Sequence, residues 1–249
     1  MTGGAVRVGR AIALACARAG ADVAITYNRS ESEARQTIEE LQSAGQDGAR
    51  FRAFAADVSR ADEVSRLTEN VLQTFGRVTA LVNNAAIFRR TPFDALTEAD
   101  FDDHIGANLK GPYLLSKAFG DIFRERFNEQ GAGAIVNIAD IHGLRPLKNY
   151  IPYCVSKAGL VMLTEAMAKA LAPHARVNCI CPGAILLPSE TQGEDDGEFA
   201  DDEAALTARI PLGRLGTPEE IAQAVVFLLG GPGFISGAVL PVDGAQRLR

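Results

Sequence analysis

Short apolar runs alternate with longer amphipathic segments along most of the chain. The runs have strand character, and the segments between them space their apolar residues as helices do. The predicted strands are Asp22–Tyr27, Ala49–Ala55, Ala80–Asn83, Ala134–Ile138, Arg176–Cys181 and Ala238–Val242. The predicted helices are Gly9–Ala19, Ser30–Ala44, Ala61–Phe75, Ala99–Glu129, Tyr153–Leu171 and Pro218–Leu229.

Most of the apolar runs are continuous rather than alternating, which is typical of strands buried on both faces of a parallel sheet. Strands that alternate with helices predict an α/β fold, a Rossmann-like, doubly wound parallel sheet. No change in composition divides the chain, so residues 1–249 are predicted to form a single domain. Ser30 followed by Glu33 predicts a capping box at the start of the second helix.

The chain opens on a glycine turn, Thr2-Gly3-Gly4, without the strand that such a turn normally follows. In a dinucleotide-binding fold that strand lies in the middle of the sheet. Losing it would leave backbone groups of two neighbouring strands unpaired. We therefore expect that the first strand is missing from this chain because the start was assigned too late or trimmed.

The charge and cysteine content narrow the function classes. A formal net charge of −6 argues against nucleic acid as the main partner. No apolar run is long enough to span a bilayer, and no leader pattern is present, so we expect a cytoplasmic protein with reduced thiols. The four cysteines and three histidines lack zinc spacing, so no metal site is predicted.

One segment departs from this pattern. Pro188–Glu203 contains eight acidic residues and two glycines and is predicted to be a mobile surface loop. Long loops in such folds often cover a substrate, so residues 188–208 are a candidate substrate loop. The alternative is a solvated insertion without function.

The glycine turn leads directly into the first predicted helix. Such turns bind pyrophosphate, because backbone N–H groups and the helix dipole both favour a negative charge there. The next strand ends in Asn28, Arg29 and Ser30 instead of the acidic residue that would bind the ribose of NAD. Arg29 and Ser30 suit a 2′-phosphate, which favours NADPH, although Arg29 is alternatively a solvated residue at a helix start.

Tyr153 and Lys157 are four residues apart in a helical segment and therefore share one face. A lysine ammonium beside a phenol lowers the phenol pKa, so this pair predicts a proton donor. The alternative is an ordinary surface pair, and the surrounding motifs argue against it. Asn83-Asn84-Ala85-Ala86 follows a predicted strand, Asn108 lies in the long helix, and Pro182-Gly183 follows the strand after the tyrosine helix.

With these motifs, nearly the whole chain resembles the short-chain dehydrogenase/reductase family. The resemblance implies that Tyr153 donates a proton, that Lys157 holds the nicotinamide ribose, and that Asn108 holds a water of the proton relay. It implies that the asparagines after the strand brace the sheet beside the cofactor. The expected cofactor-binding residues are Gly3, Arg7, Val8, Gly9, Asn28, Arg29, Ser30, Asp57, Val58, Asn84, Ala85, Tyr153, Lys157, Pro182, Gly183 and Ile185.

Asp140 stands where the family usually has a serine, thirteen residues before the tyrosine. An ionised carboxylate accepts hydrogen bonds but does not donate them, so Asp140 favours a nitrogen heterocycle over a simple ketone. Asp140 is alternatively a turn or N-cap residue.

The stretch Thr2–Gly9, Asp140 with the following Ile141-His142, Arg145-Pro146-Leu147-Lys148, and Asn84–Phe88 resemble the pteridine reductases within this family. The resemblance places Phe88 against a flat pterin ring, although Phe88 is alternatively a core residue. The expected substrate-binding residues are Arg7, Phe88, Asp140, Tyr153, Leu186 and Leu187. Ala86 replaces a serine that is frequent in those enzymes.

The implied reaction is hydride transfer from NADPH to a dihydropterin or dihydrofolate, with proton delivery by Tyr153 and Asp140. The alternatives are another NADPH-dependent reductase, such as a 3-oxoacyl thioester reductase, and a non-catalytic NADP-binding sensor. The resemblance also implies a homotetramer. The C-terminal Arg247-Leu248-Arg249 either reaches a neighbour's pocket or frays at the surface.

Overall fold

The strands and helices follow the predicted alternation, but the single helix predicted over Ala99–Glu129 is wrong, because a π turn at Gly106–Lys110 divides it into two helices. The structure is a computed structural model that describes residues 1–126, 133–185 and 203–249. The strands are β1 (Val23–Tyr27), β2 (Phe51–Ala55), β3 (Ala80–Asn83), β4 (Gly133–Ile138), β5 (Ala175–Pro182) and β6 (Val239–Val242). The helices are α1 (Arg7–Arg18), α2 (Glu31–Ala44), α3 (Ala61–Phe75), α4 (Glu98–Ile105), α5 (Gly111–Arg126), α6 (Ile151–Leu171), α7 (Glu203–Ala208) and α8 (Pro218–Gly230).

All strand pairs in the described residues are parallel, as the continuous apolar runs predict. One sheet contains β1 and β2, and the other has the order β3-β4-β5-β6. Met1 and Thr2 lie between the two sheets: Met1 pairs with Ala24 and Thr26 of β1, and the Thr2 amide donates to Val82 O of β3 at 2.9 Å. These two residues thus take the position of the expected first strand and connect the sheets.

Helices cover both faces of the sheet, which makes the fold doubly wound. Adjacent residues of β4 show this, since Ile135 packs with α3, α5 and α6 while Val136 packs with α1 and α8. Both side chains are completely buried. No helix in the described residues combines the length and apolar character needed to cross a bilayer.

The predicted capping box of α2 is wrong. The side chain of Ser30 makes no capping hydrogen bond, and the carboxylate of Glu33 accepts from Ser32 Oγ instead. Complete capping boxes occur at α4, with Thr97 and Asp100, and at α8, with Thr217 and Glu220.

One prediction changes next to the undescribed residues, and several others fall outside the described part of the chain. Residues 203–208 of the candidate substrate loop form the helix α7, while residues 188–202 lie outside the described residues. Leu186 and Leu187 also lie outside them, as does the predicted helical stretch 127–129.

Candidate active site

A cleft of about 1370 Å³ runs along the carboxyl ends of β1 to β5. This edge of a doubly wound sheet is where ligands bind in such folds. The cleft is lined at one end by the glycine turn and the end of β1, and at the other by residues that follow β4 and β5. All the predicted site residues in the described part of the chain except Asn108 line it.

The glycine turn has no room for side chains. Gly3 has a φ of +61°, and a Cβ at Gly9 would lie 1.9 Å from the carbonyl oxygen of Gly3. The Asn84 amide donates to the carbonyls of Thr2 and Gly3, both at 3.0 Å, and the Thr2 hydroxyl accepts from the backbone of Asn84. The turn therefore keeps a close backbone approach to a ligand, and the bracing role expected of Asn84 is present.

The charges around this turn are positive. Arg7 and Arg29 both line the cleft beside Asn28 and Ser30, and β1 ends in Tyr27 without an acidic side chain. The first turn of α1 has no acidic residue to oppose an anion at its N-terminus. The chain thus fits a dinucleotide phosphate, and its arginines suit an additional phosphate on the ribose.

Asp57, one of the expected cofactor-binding residues, forms a turn beside the cleft. Its Oδ1 accepts from the backbone N and the hydroxyl of Ser59, which forms a local turn after β2. Asp57 and the following Val58 still line the cleft. The turn therefore fixes this part of the cleft wall.

Asp140 is the N-cap residue that the sequence offered as one interpretation, and it also contacts Tyr153. Its Oδ1 accepts from the backbone N of His142 at 2.7 Å and caps the short 3-10 turn Ile141–Gly143. Its Oδ2 accepts from the Tyr153 hydroxyl at 2.8 Å. The capping bond orients the carboxylate, so that its second oxygen faces the phenol.

The pKa of Tyr153 shifts opposite to the expectation. Burial raises it well above its usual value, and the neighbouring Asp140 carboxylate raises it further. Lys157 does not offset these effects, because its Nζ donates to the Ile138 carbonyl at 2.9 Å and lies 5.7 Å from the centre of the tyrosine ring. Burial also lowers the pKa of Lys157, which Asp140 partly counteracts. Tyr153 therefore holds its proton firmly in this state.

Asn108 lies in a π turn, Gly106–Lys110, between α4 and α5. Its Oδ1 accepts from the Ile87 N, and its Nδ2 donates to the Ile87 carbonyl and to Ser156 Oγ. The Ser156 hydroxyl in turn donates to the carbonyl of Tyr153 at 2.7 Å. Asn108 therefore connects the segment after β3 to the start of the tyrosine helix, and π turns of this kind are frequent at functional sites.

Phe88 lines the cleft with 38% of its surface exposed, so it is not a core residue. One face of its ring stacks on Tyr150 at a centroid distance of 4.6 Å, and Tyr153 makes an edge contact at 4.7 Å. At most one face is left for a flat ligand.

The C-terminal turn is tied to the cleft of its own chain instead of fraying. Gln246 Oε1 accepts from the Ala184 N at 2.9 Å, and Arg145 donates to the Arg247 carbonyl at 3.3 Å. The Arg247 N in turn donates to Asp243. Gln246 and Arg247 line the cleft beside Gly183 and Ile185.

Sequence reasoning missed several supporting residues. Tyr150 supports the ring of Phe88, Ser156 links Asn108 to the tyrosine helix, and Gln246 fixes the wall after β5. No local motif marks these residues, because each acts through a contact distant in sequence.

The comparisons with known proteins cover almost the whole chain. A family model described as Enoyl-(Acyl carrier protein) reductase matches residues 4–245. The chain belongs to the short-chain dehydrogenase/reductase family. It is therefore an oxidoreductase of the kind that uses a nicotinamide cofactor.

Relatives of this short-chain reductase carry different substrate names. D-threitol dehydrogenase of Mycolicibacterium smegmatis is 36% identical, over 100% of this chain and 92% of the relative. The 3-oxoacyl-[acyl-carrier-protein] reductase FabG of Staphylococcus aureus is 34% identical, over 100% and 97%. A solved structure of a putative short-chain alcohol dehydrogenase from Sinorhizobium meliloti has a TM-score of 0.87 and 31% identity, over 98% of this chain and 94% of the other.

Proposed function

We propose that this enzyme uses NADPH to reduce the C=N bond of a dihydropterin or dihydrofolate ring. The observation that carries the proposal is the hydrogen bond from the Tyr153 hydroxyl to Asp140 Oδ2. A carboxylate at this position accepts from ring N–H and amino groups, which pterins have and ketones lack. The shape of the site adds support, since Phe88 presents an aromatic surface next to Tyr153.

Arg7, Arg29, Asn28 and Ser30 would hold the phosphates of the cofactor, and Lys157 its nicotinamide ribose. NADPH supplies a hydride to the imine carbon of the substrate when it is bound. The absence of an acid at the end of β1 supports NADPH over NADH.

Tyr153, held by its hydrogen bond to Asp140, would provide the proton that the ring nitrogen gains as the adjacent carbon gains the hydride. Tyr153 stays protonated, because burial and Asp140 raise its pKa, so it has a proton to donate in the reductive direction. Asp140 orients the substrate by accepting from its amino and ring N–H groups. Both side-chain polar groups of Asn108 bond to protein atoms, which disfavours a relay water on its side chain.

A second candidate is reduction of a 3-oxoacyl thioester, which the likeness to FabG favours. Asp140 disfavours it, because an ionised carboxylate near a carbonyl oxygen repels the negative charge that develops during reduction. The cytoplasmic location remains a prediction from the thiols. A homotetramer is supported by apolar side chains exposed on α5 and α6, including Tyr113, Val155 and Met162.

The test is NADPH oxidation followed by absorbance with dihydrobiopterin, dihydromonapterin, dihydrofolate and an acetoacetyl thioester, with NADH in parallel. Pterin or folate turnover that prefers NADPH is the expected result. Turnover of the thioester alone would establish the second candidate and overturn the first. Tight NADPH binding without any turnover would favour the sensing role.

A further inference from the structure

The part of the cleft that the structure describes carries more cationic than acidic side chains, although the whole chain is acidic. Among the described residues, seven arginines and one lysine line it against four aspartates, whereas the chain as a whole has a formal net charge of −6. Arg7 and Arg29 lie at the nucleotide end, where cofactor phosphates account for them. Arg89 pairs with Asp103, and the other four arginines belong to segments that follow β4, β5 and β6.

This second group, the arginine rim, comprises Arg145, Arg209, Arg247 and Arg249. Its members come from three separate parts of the chain: the loop before α6, the segment after α7, and the C-terminal turn. Folding brings them together on the wall that also contains His142, Leu147 and Gln246. Asp140 is the acidic side chain of that wall within the described residues.

Hydrogen bonds hold the rim in place. Arg145 Nη1 donates to the Arg247 carbonyl, which links the loop before α6 to the C-terminal turn. The Arg249 guanidinium donates to the Ala208 carbonyl and links the same turn to the end of α7. The Asp243 carboxylate, whose side chain is only 7% exposed, accepts from the backbone of Arg247 and lies 3.8 Å from its Nε. The positions of these cations are therefore set by the fold.

Two members of the rim, Arg145 and Arg249, have no acidic side-chain partner within the described part of the chain. There, ion pairs are present for Arg89 with Asp103 and for Arg247 with Asp243, but none for Arg145 or Arg249. Like charges held close together repel one another, and an anion between them removes that repulsion. Guanidinium groups also bind carboxylates and phosphates through paired, charge-assisted hydrogen bonds.

We propose that the arginine rim binds an anionic group at the non-reacting end of the substrate. This inference rests on the proposed function for the position of the reacting ring beside Asp140 and Tyr153. The carboxylates of a folate tail have the required chemistry, and so do the phosphates of a coenzyme A thioester. The rim thus selects a tailed, anionic substrate over a small neutral one.

The experiment compares matched substrates that differ in the anionic tail. We would measure kcat/KM for dihydrofolate and for dihydrobiopterin, in the wild type and in Arg145→Gln, Arg247→Gln and Arg145→Lys. The control is Arg35→Gln, which removes an exposed arginine of α2 that pairs with Glu31 outside the cleft.

Each Gln variant is expected to lower the ratio of dihydrofolate to dihydrobiopterin kcat/KM by about tenfold, which corresponds to about 1.4 kcal/mol. Arg145→Lys should recover most of the ratio because it keeps the charge. Added salt should lower the ratio of the wild type, since these groups are exposed to solvent. An unchanged ratio in the Gln variants, or an equal drop in Arg35→Gln, would overturn the proposal.

A second pair of substrates separates this proposal from the proposed function. If no pterin or folate is turned over, the same variants are tested on acetoacetyl coenzyme A and on the uncharged acetoacetyl N-acetylcysteamine thioester. A tenfold drop in the ratio of their kcat/KM values would support anion binding by the rim even though the pterin assignment fails. An unchanged ratio would refute anion binding by the rim. If neither pair reacts, calorimetry with dihydrofolate decides, and an affinity that does not depend on Arg145 contradicts the proposal.

Discussion

The two ends of the cleft are built in different ways. At the nucleotide end the backbone forms the binding surface, and the close contact between Gly3 and Gly9 leaves no space for a side chain. At the chemical end, side chains form the site, and specific hydrogen bonds orient the charged ones, as the His142 N does for Asp140 and the Ile138 carbonyl for Lys157. The first arrangement tolerates many chemistries with the same cofactor, whereas the second determines which chemistry occurs.

The largest effect should come from the chemical end. Tyr153→Phe removes the hydroxyl that donates to Asp140, and we expect kcat to fall by about 10²- to 10⁴-fold, the usual contribution of a general acid. The affinity for NADPH should stay within a few-fold, because the nucleotide end does not depend on this hydroxyl. The rate of NADPH oxidation at saturating substrate gives kcat, and a fluorescence titration gives the affinity for NADPH. Full turnover by the variant would remove Tyr153 from the mechanism.

A charge reversal at the nucleotide end should have a smaller effect, and the effect should be selective for NADPH over NADH. Arg29→Glu removes a predicted contact to the 2′-phosphate, and we expect KM for NADPH to rise about ten- to hundredfold, with KM for NADH rising far less. Arg35→Glu on α2 is the matched control, since its side chain is 76% exposed and pairs with Glu31. Equal changes for both cofactors would contradict the phosphate contact.

A side chain in the glycine turn tests the backbone contact itself. In Gly9→Ala the new Cβ would overlap the Gly3 carbonyl, so the turn must shift at a cost of about 1–3 kcal/mol in unfolding free energy. NADPH affinity should fall along with the stability. Gly230→Ala at the end of α8 is the control, because no atom lies within 4 Å of the Cβ that it adds. Equal stability of the two variants in denaturant melts would mean that the turn adapts.

The smallest expected effect is on the unfolding free energy, and it distinguishes the N-termini of α8 and α2. Thr217→Ala removes a complete capping box from α8 and should cost about 1 kcal/mol, whereas Ser30→Ala should cost almost nothing because its side chain makes no capping bond. The interaction of Glu220 with Arg214 and Thr217 lowers its pKa from 4.5 to about 2, so this contribution is present above pH 4.5 and is lost as the pH falls towards 2. Chemical denaturation of the cofactor-free enzyme at neutral and acidic pH measures both. A larger loss in Ser30→Ala would reverse this order.

The elements were predictable from the sequence, and the reasons are local. In continuous apolar runs such as β4 and amphipathic segments such as α3, the local hydrophobic pattern indicates which residues are buried. The predicted bounds of these two elements therefore agree with the structure within a residue or two. The motif residues also came together as expected, because strands that share a sheet end at the same edge. Asn84 and Asp140 reach the cleft for that reason.

The charge states and supporting contacts were not predictable in this way. The spacing of Tyr153 and Lys157 suggested a lowered tyrosine pKa, but burial and Asp140 raise it, and the lysine bonds to Ile138. Those effects depend on packing between segments far apart in sequence. The contacts of Tyr150 and Gln246 depend on it as well. The capping of α2 differs for a local reason, because the adjacent Ser32 donates to Glu33.

The most direct test of the account is the substrate preference of Asp140→Ser. Restoring a hydroxyl should lower kcat/KM for the dihydropterin by about a hundredfold, because its N–H groups lose their carboxylate partner, with a far smaller loss for an acetoacetyl thioester. The same change should lower the pKa of Tyr153, since a negative neighbour is removed, so that reductive activity declines at lower pH than in the wild type. An equal loss of kcat/KM for both substrates, together with an activity decline at the same alkaline pH as in the wild type, would contradict the role assigned to Asp140.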